Sequence, residues 1–468
     1  MASSDTPRPT RRQVAIGAAA VAGVTAICWR ALTRPGRPPN VLVILADQLR
    51  HHALGFTGDR NVATPAIDAL LGRSVWFQSA FATNPLCSPS RASLLTGLYP
   101  RAAGVPSNDM ALREGVPTLG TVMRGTGRHT GYLGKWHLSG ARTAFVPTHR
   151  RFGFEAPWTT SGAKGSRGGL LFSDRPRAEN LSRDNWLPAV LTDRAVEAMR
   201  GWGDQPWCLM VSYDPPHPPG AGVSRWREDL LPSDLAAIDP AALAFRGNVP
   251  ADVLAPDPAA PSADRRMGAR GYLHCYYAAI RSLDREVGRL LAGLDDAGQR
   301  DDTVVVFASD HGDLAGSHGR YMKQKPYDES IRVPLAIAWP GRLAPARVEA
   351  PVTLADLLPT LAGLVGAPMP PVDGRDLSGP LLAGDPVQGG PVAIGSHLRS
   401  RDKRWWTWRG RRWAYTVYDG SGQTQLFDMA SDPLQLTDLS GRPEVADREA
   451  ELRSALHARR GQLGEADE

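Results

Sequence analysis

Lysine and cysteine are the scarce residues of this 468-residue chain. Of its 54 basic residues only Lys135, Lys164, Lys323, Lys325 and Lys403 are lysine. Against so strong an arginine bias, each lysine marks a place where a compact, flexible point charge is not interchangeable with a guanidinium fork. The four cysteines are Cys28, Cys87, Cys208 and Cys275. They form no CxxC pair and no metal-type spacing. Cys28 falls in a leader-like segment, and the three that remain cannot all pair. Cys208 in WCLMVSY and Cys275 in YLHCYYAAI read as buried apolar filler. Excess positive charge is also missing from the body of the chain. The formal net charge is +6, but residues 1–38 hold six arginines against Asp5, which leaves the rest nearly neutral. That excludes the basic footprint of a nucleic-acid partner.

A membrane-length apolar run is absent as well. Val14 to Cys28 spans only about fifteen residues, short for a membrane helix and right for the apolar core of a signal peptide. Arg11 and Arg12 precede it, a pairing that resembles a twin-arginine export signal. The expected location is therefore the periplasm or the exterior, with no stable membrane insertion after cleavage. Residues 1–38 are read as signal and linker.

Several apolar runs lack alternation, as parallel strands covered on both faces do: Val41 to Ala46, Trp207 to Ser212, Thr303 to Ala308, Val333 to Ala338 and the shorter Thr130 to Leu133. Helical spacing appears in Leu191 to Trp202, Tyr272 to Leu294 and Leu354 to Val365. The alternation predicts an α/β fold: a large, mostly parallel mixed sheet sandwiched by helices, over residues 39–385. Residues 240–268, rich in Pro and Ala, read as a surface insertion. After residue 385 the texture changes to short strands and a final amphipathic helix, Glu444 to Arg459. This predicts a small α+β subdomain, 386–468, with a short antiparallel sheet. RDKRWWTWRGRRWAY within it reads as a β-hairpin with Trp inward and Arg in water, rather than as a wall for an anionic sugar.

Sites in such sheets form beyond the carboxyl ends of the strands. Those ends carry Asp47-Gln48, Lys135-Trp136-His137, His217 in YDPPHPP, and Asp310-His311. Their chemistry predicts convergence on one site. Cys87 opens a segment in which Pro89 suits the first turn of a helix and Gly97 its end. A helix amino terminus favours an anion, and Arg91 one turn on offers a bidentate grip. A phosphotyrosine-phosphatase loop would need Arg six residues after the cysteine, where Ser93 stands. A bare thiolate nucleophile is therefore a poor account of Cys87.

CSPSRASLLTG resembles the signature of the type I sulfatases, within the alkaline phosphatase superfamily. The likeness extends through PNVLVILADQ, GYLGKWHL, VSYDPPHPP, SDHGDLAGSHG and YDESIRVPLAIAWPG, in the family's order, over nearly everything after residue 38. The resemblance implies that Cys87 is oxidised to Cα-formylglycine by a formylglycine-generating enzyme. The aldehyde's hydrate attacks sulfur and expels the alcohol, and loss of a proton from its second hydroxyl then releases sulfate. It implies one divalent ion, Ca²⁺ first and Mg²⁺ or Mn²⁺ as alternatives, held by Asp47, Gln48, Asp310, His311 and residue 87. Arg91, Lys135 and Lys323 match the family's cationic grips. His137 matches the group that takes the hydrate's proton, and His217 with Lys323 the pair that protonates the leaving oxygen. The implied substrate is a small-molecule or carbohydrate sulfate monoester. Gln48 and His311 stand where many members have Asp and Asn. That pairing resembles choline sulfatases and phosphonate or phosphodiester hydrolases of the same family, which keeps a phosphonate-cleaving alternative open. A silent binding protein that keeps its thiol is the third reading.

Overall fold

The computed structural model describes residues 37–140, 146–160, 167–172, 179–219, 226–254, 268–397 and 403–465. Residues 1–36 of the segment read as signal and linker, and residues 255–267 of the one read as a surface insertion, lie outside these.

Ten strands make the large sheet: β1 (Asn40–Asp47), β2 (Val75–Phe77), β4 (His129–Lys135), β5 (Ala156–Thr160), β6 (Arg167–Phe172), β7 (Glu179–Trp186), β8 (Trp207–Pro216), β9 (Thr303–Ser309), β10 (Leu335–Ala338) and β11 (Ala346–Val348). Their order is β11-β2-β10-β9-β1-β8-β4-β5-β6-β7. The central run β9-β1-β8-β4-β5 is parallel, and antiparallel pairs flank it on both sides. A two-stranded sheet pairs β3 (Ala80–Phe81) with β12 (Val352–Thr353).

All eight residues of β1 are buried. Alternation then divides them between two cores, because successive side chains point to opposite faces. Leu42, Ile44 and Ala46 join one core. It is completed by α1 (Pro65–Leu71), α3 (Leu187–Trp202) and α4 (Gly268–Asp296). Val41, Val43 and Leu45 join the other, with α2 (Cys87–Thr96) and α5 (Leu357–Val365). Each Leu, Ile or Val so enclosed stabilises by roughly 1.5–3 kcal/mol. Cys208 and Cys275 sit in these cores as free thiols, and burial pushes them up to about 12 and about 11.

The small sheet is antiparallel, β13 (Val392–Ser396), β14 (Trp405–Arg409), β15 (Trp413–Tyr418) and β16 (Thr424–Asp428) in sequential order. Leu452 and Leu456 of α6 (Ala446–Gln462) cover one face, and Phe81 with Ile331 cover the other. β14 and β15 form the expected hairpin, with Trp405 and Trp406 buried and Arg411 and Arg412 largely exposed. Arg409 departs from that pattern: it is buried and paired with Asp328. No helix among the described residues is long and apolar enough to cross a membrane.

Candidate active site

The site is assembled where the parallel strands end. β1 and β9 run in register, Ala46 beside Ser309, so Asp47 and Asp310 leave the sheet side by side. Gln48 turns the chain out of β1 at φ 69°, and its backbone N–H donates to Asp310 Oδ1 at 3.0 Å. Gly312 follows His311 where the backbone of residue 329 passes over it. A Cβ there would lie 2.0 Å from the Glu329 carbonyl oxygen, so only glycine fits. On β4, Gly134 has φ 95°, and a Cβ would meet the Ser212 carbonyl at 2.0 Å. That close approach brings Lys135, next along, against Asp47.

α2 begins at Cys87, and Gly97 ends it in the left-handed region at φ 72°. No side chain of its own caps the first turn. Asn108 Oδ1 instead accepts from the Ser88 N–H at 2.9 Å, and the Ser88 hydroxyl donates to the His137 carbonyl at 2.7 Å. The Cys87 thiol is thereby set beside the strand ends. Its Sγ lies 3.2 Å from His311 Nε2, 3.5 Å from Lys323 Nζ, and 3.9 Å from both Asp47 Oδ1 and Lys135 Nζ. Ligand atoms of Asp47, Cys87, Asp310 and His311 all fall within 4.8 Å of one another, in residues that are all buried.

Electrostatics bind this cluster tightly. Burial and the neighbouring thiol push the Asp47 carboxyl up, but Lys135, His217 and Arg91 win and hold it well below the usual carboxylate range. Burial would likewise raise the Cys87 thiol. Lys135, Lys323 and His311 pull it well below its ordinary value. Burial lowers His311, but Asp310 and Cys87 together outweigh it, so the imidazole is raised. An anionic group at position 87 is what this field favours.

Arg91 does not act as the expected grip on an oxyanion. Its side chain is fully buried, with Nε on Asp310 Oδ2 and Nη2 on Asp47 Oδ2, both at 3.0 Å. Nη1 donates to the Lys135 carbonyl at 2.8 Å and to Ser212 Oγ at 2.6 Å. The guanidinium is spent on positioning the carboxylates.

The remaining anticipated residues form the open side. Lys323 Nζ contacts Gln48 Oε1 at 2.5 Å and His217 Nε2 at 2.8 Å. Its neighbours Met322 and Gln324 both have positive φ, 64° and 75°, so a tightly bent loop presents it. The backbone N–H of Lys325 donates to Ser330 Oγ at 3.4 Å. His137 Nε2 faces Asp109 at 3.4 Å. His318 is apart from the cluster, stacked on Tyr327 with centroids 3.7 Å apart.

Three contributors escaped the sequence reading. Ser212 holds Arg91. Asp214, whose carboxyl burial pushes up, lies near the end of β8 within electrostatic reach of Lys135 and Asp47. Asp313 accepts from Gln48 Nε2. Asp214 follows the apolar run Trp207 to Ser212 and Asp313 lies just past β9, the same kind of signal that marked Asp47 and Asp310.

The sulfatase family model matches residues 39–367. The chain belongs to the sulfatase family. With that comes its activity: it is a sulfuric ester hydrolase. An ulvan-active sulfatase of Formosa agariphila is 32% identical over 444 residues, covering 91% of this chain and 82% of that protein. The solved structure of the sulfatase-family protein yidJ of Bacteroides fragilis superposes with a TM-score of 0.81 at 26% identity, covering 92% of this chain and 97% of its own. A phosphonate monoester hydrolase of Agrobacterium radiobacter superposes with a TM-score of 0.69 at 24% identity, covering 91% and 96%. At that identity the likeness is one of fold.

Proposed function

We propose that this sulfatase cleaves an organic sulfate monoester using residue 87, oxidised from cysteine to Cα-formylglycine, as its nucleophile. The observation that carries the reading is the position of Cys87 Sγ. It sits at a helix amino terminus, ringed by His311, Lys323, Asp47 and Lys135 at 3.2 to 3.9 Å. Sγ here stands in for the oxygen of the matured residue.

The donor set fits a hard divalent ion. Two buried carboxylates and one imidazole face the same point, and Asp47 Oδ1 is left over when Oδ2 serves Arg91 and Lys135. Asp47, Asp310, His311 and Gln48 would hold the ion, Ca²⁺ by first choice. Such an ion lowers the pKa of an attacking hydroxyl and screens sulfate oxygens.

The chain's own groups then divide the work. Lys135 and Lys323 place two ammonium charges beside residue 87, where a sulfate would lie. His217 Nδ1 donates to the Pro218 carbonyl at 2.5 Å, which leaves Nε2 to accept from Lys323. The proton the leaving alcohol needs is therefore shared between these two groups, a general-acid contribution of roughly 10²–10⁴-fold. His137 takes a proton from residue 87 as sulfate departs, a role that rests on its match to the family's GKWHL motif.

A carbohydrate sulfate is the substrate class supported by the ulvan-active relative. The paired arginines of the leader support export of the folded enzyme, after a formylglycine-generating enzyme has acted. Mass spectrometry of the tryptic peptide containing residue 87, with turnover of an aryl sulfate beside phenyl phosphonate, tests the reading. A peptide lighter than the cysteine form and faster sulfate hydrolysis are expected. An intact thiol from a maturation-competent host, without hydrolysis, would overturn it. Faster phosphonate cleavage would move the substrate to the second chemistry.

A further inference from the structure

We propose that Asp313, backed by Tyr272, is the positioning residue that lets a glutamine serve at position 48. The inference rests on the metal reading above. Gln48 and Asp313 are fully buried, and Tyr272 nearly so. Asp313 Oδ2 accepts from Gln48 Nε2 and, at 2.6 Å, from the Tyr272 hydroxyl. Asp313 Oδ1 accepts from the Ala315 N–H at 2.7 Å. On its other side, Gln48 Oε1 accepts from Lys323 at 2.5 Å.

The chemistry of these partners dictates which way the amide lies. A lysine ammonium can only donate, and a carboxylate can only accept. The Gln48 amide therefore has one satisfactory orientation, Nε2 toward Asp313 and Oε1 toward Lys323 and the cluster. A flipped amide would set N–H against N–H on one side and oxygen against oxygen on the other. Asp313 meets three donors and no acceptor. Among the described residues it forms no ion pair. Its charge acts one hydrogen bond behind Gln48, through the amide dipole. A carboxylate absent at position 48 thus returns at position 313, without adding a second acidic side chain beside Asp47.

Asparagine at 313 cannot reproduce this. Whichever way its amide lies, an N–H meets either the Ala315 N–H or the Gln48 N–H. The pair Gln48→Glu with Asp313→Asn exchanges donor and acceptor instead. The Asn N–H then faces the Glu carboxylate, and its oxygen still accepts from Ala315.

The test is calorimetric titration of Ca²⁺ into the full-length, EDTA-stripped protein, read beside kcat and KM on an aryl sulfate. Asp313→Asn is expected to weaken Ca²⁺ binding by about 10- to 100-fold, the usual cost of losing a partner behind a metal ligand. kcat should fall with KM little changed. Q48E/D313N should recover affinity to within a few fold of wild type. Tyr272→Phe, which keeps the ring, should weaken binding less, and it decides the matter if D313N fails to fold. Wild-type affinity in D313N or, should that variant not fold, in Tyr272→Phe would overturn the proposal. So would a double variant as weak as the product of its single changes. A wild-type protein that binds no divalent ion would instead bring down the metal reading itself.

Discussion

Among the described residues, the buried knot of Arg91 with Asp47 and Asp310 lies at the candidate active site, and that of Arg409 with Asp328 lies away from it. In the first, Arg91 spans Asp47 and Asp310, taking one oxygen from each at 3.0 Å. In the second, Arg409 of β14 grips both oxygens of Asp328, again at 3.0 Å, with Arg332 beside them at 3.6 Å. Both are almost wholly removed from water. The difference lies in what each leaves unspent. Arg91 leaves Asp47 Oδ1 turned toward Cys87 and His311. Asp328 has no oxygen over, and its backbone N–H is taken by Gln435. The second knot closes on itself and ties the short helix Asp328–Ile331, ahead of β10, to the small sheet. Burial and pairing alone therefore do not mark a catalytic carboxylate. An oxygen left over beside a nucleophile does.

Breaking the first knot should have the larger effect. Arg91→Met leaves two buried carboxylates facing one ammonium. Loss of a partner from a buried pair costs about 3–5 kcal/mol. Displacing the groups around residue 87 by even about 1 Å costs on the order of 10²-fold in turnover. Urea unfolding and aryl sulfate turnover of one preparation should show both losses. Arg409→Met should match the stability loss of about 3–5 kcal/mol while the surviving folded enzyme keeps near-normal kcat. A fully folded R409M enzyme with collapsed turnover would break the distinction between the knots.

The same contrast explains what was legible beforehand. Strands β1 and β9 announce themselves because burial on both faces demands continuous apolar runs. The short strands β2 and β11, at one side of the large sheet, offer only three residues each, too few for any period to show. β8 continues through Pro215 and Pro216, where sequence reasoning ends it at Ser212, because proline removes a ladder donor. β10 begins at Leu335, two residues later than the apolar run, with Pro334 just before it. The cluster's members are readable as strand ends, and the helix of Cys87 from Pro89 and Gly97. Arg91's partners are not, since helical spacing tells where a side chain starts and not which carboxylates it meets. Asp313 lies two residues past His311, but its value depends on Gln48, far away in the chain.

Acid should separate the knots more gently. Burial pushes the Asp328 carboxyl up, but Arg409 and Arg332 override it and hold it below the ordinary value of 3.8. A carboxylate depressed in the folded state contributes stability that is present above its unfolded pKa. That contribution is lost as pH falls toward the folded value. Asp328 should thus support the fold unchanged from neutrality down to about pH 4, and progressively less below it. Asp328→Asn, neutral at every pH, lowers stability at pH 7 but removes this dependence. Thermal unfolding of both proteins from pH 7 to pH 3 should show the wild-type advantage shrinking only at the acid end. A gap of constant size would mean that Asp328 is not held as the paired anion, and that the second knot owes its strength to packing.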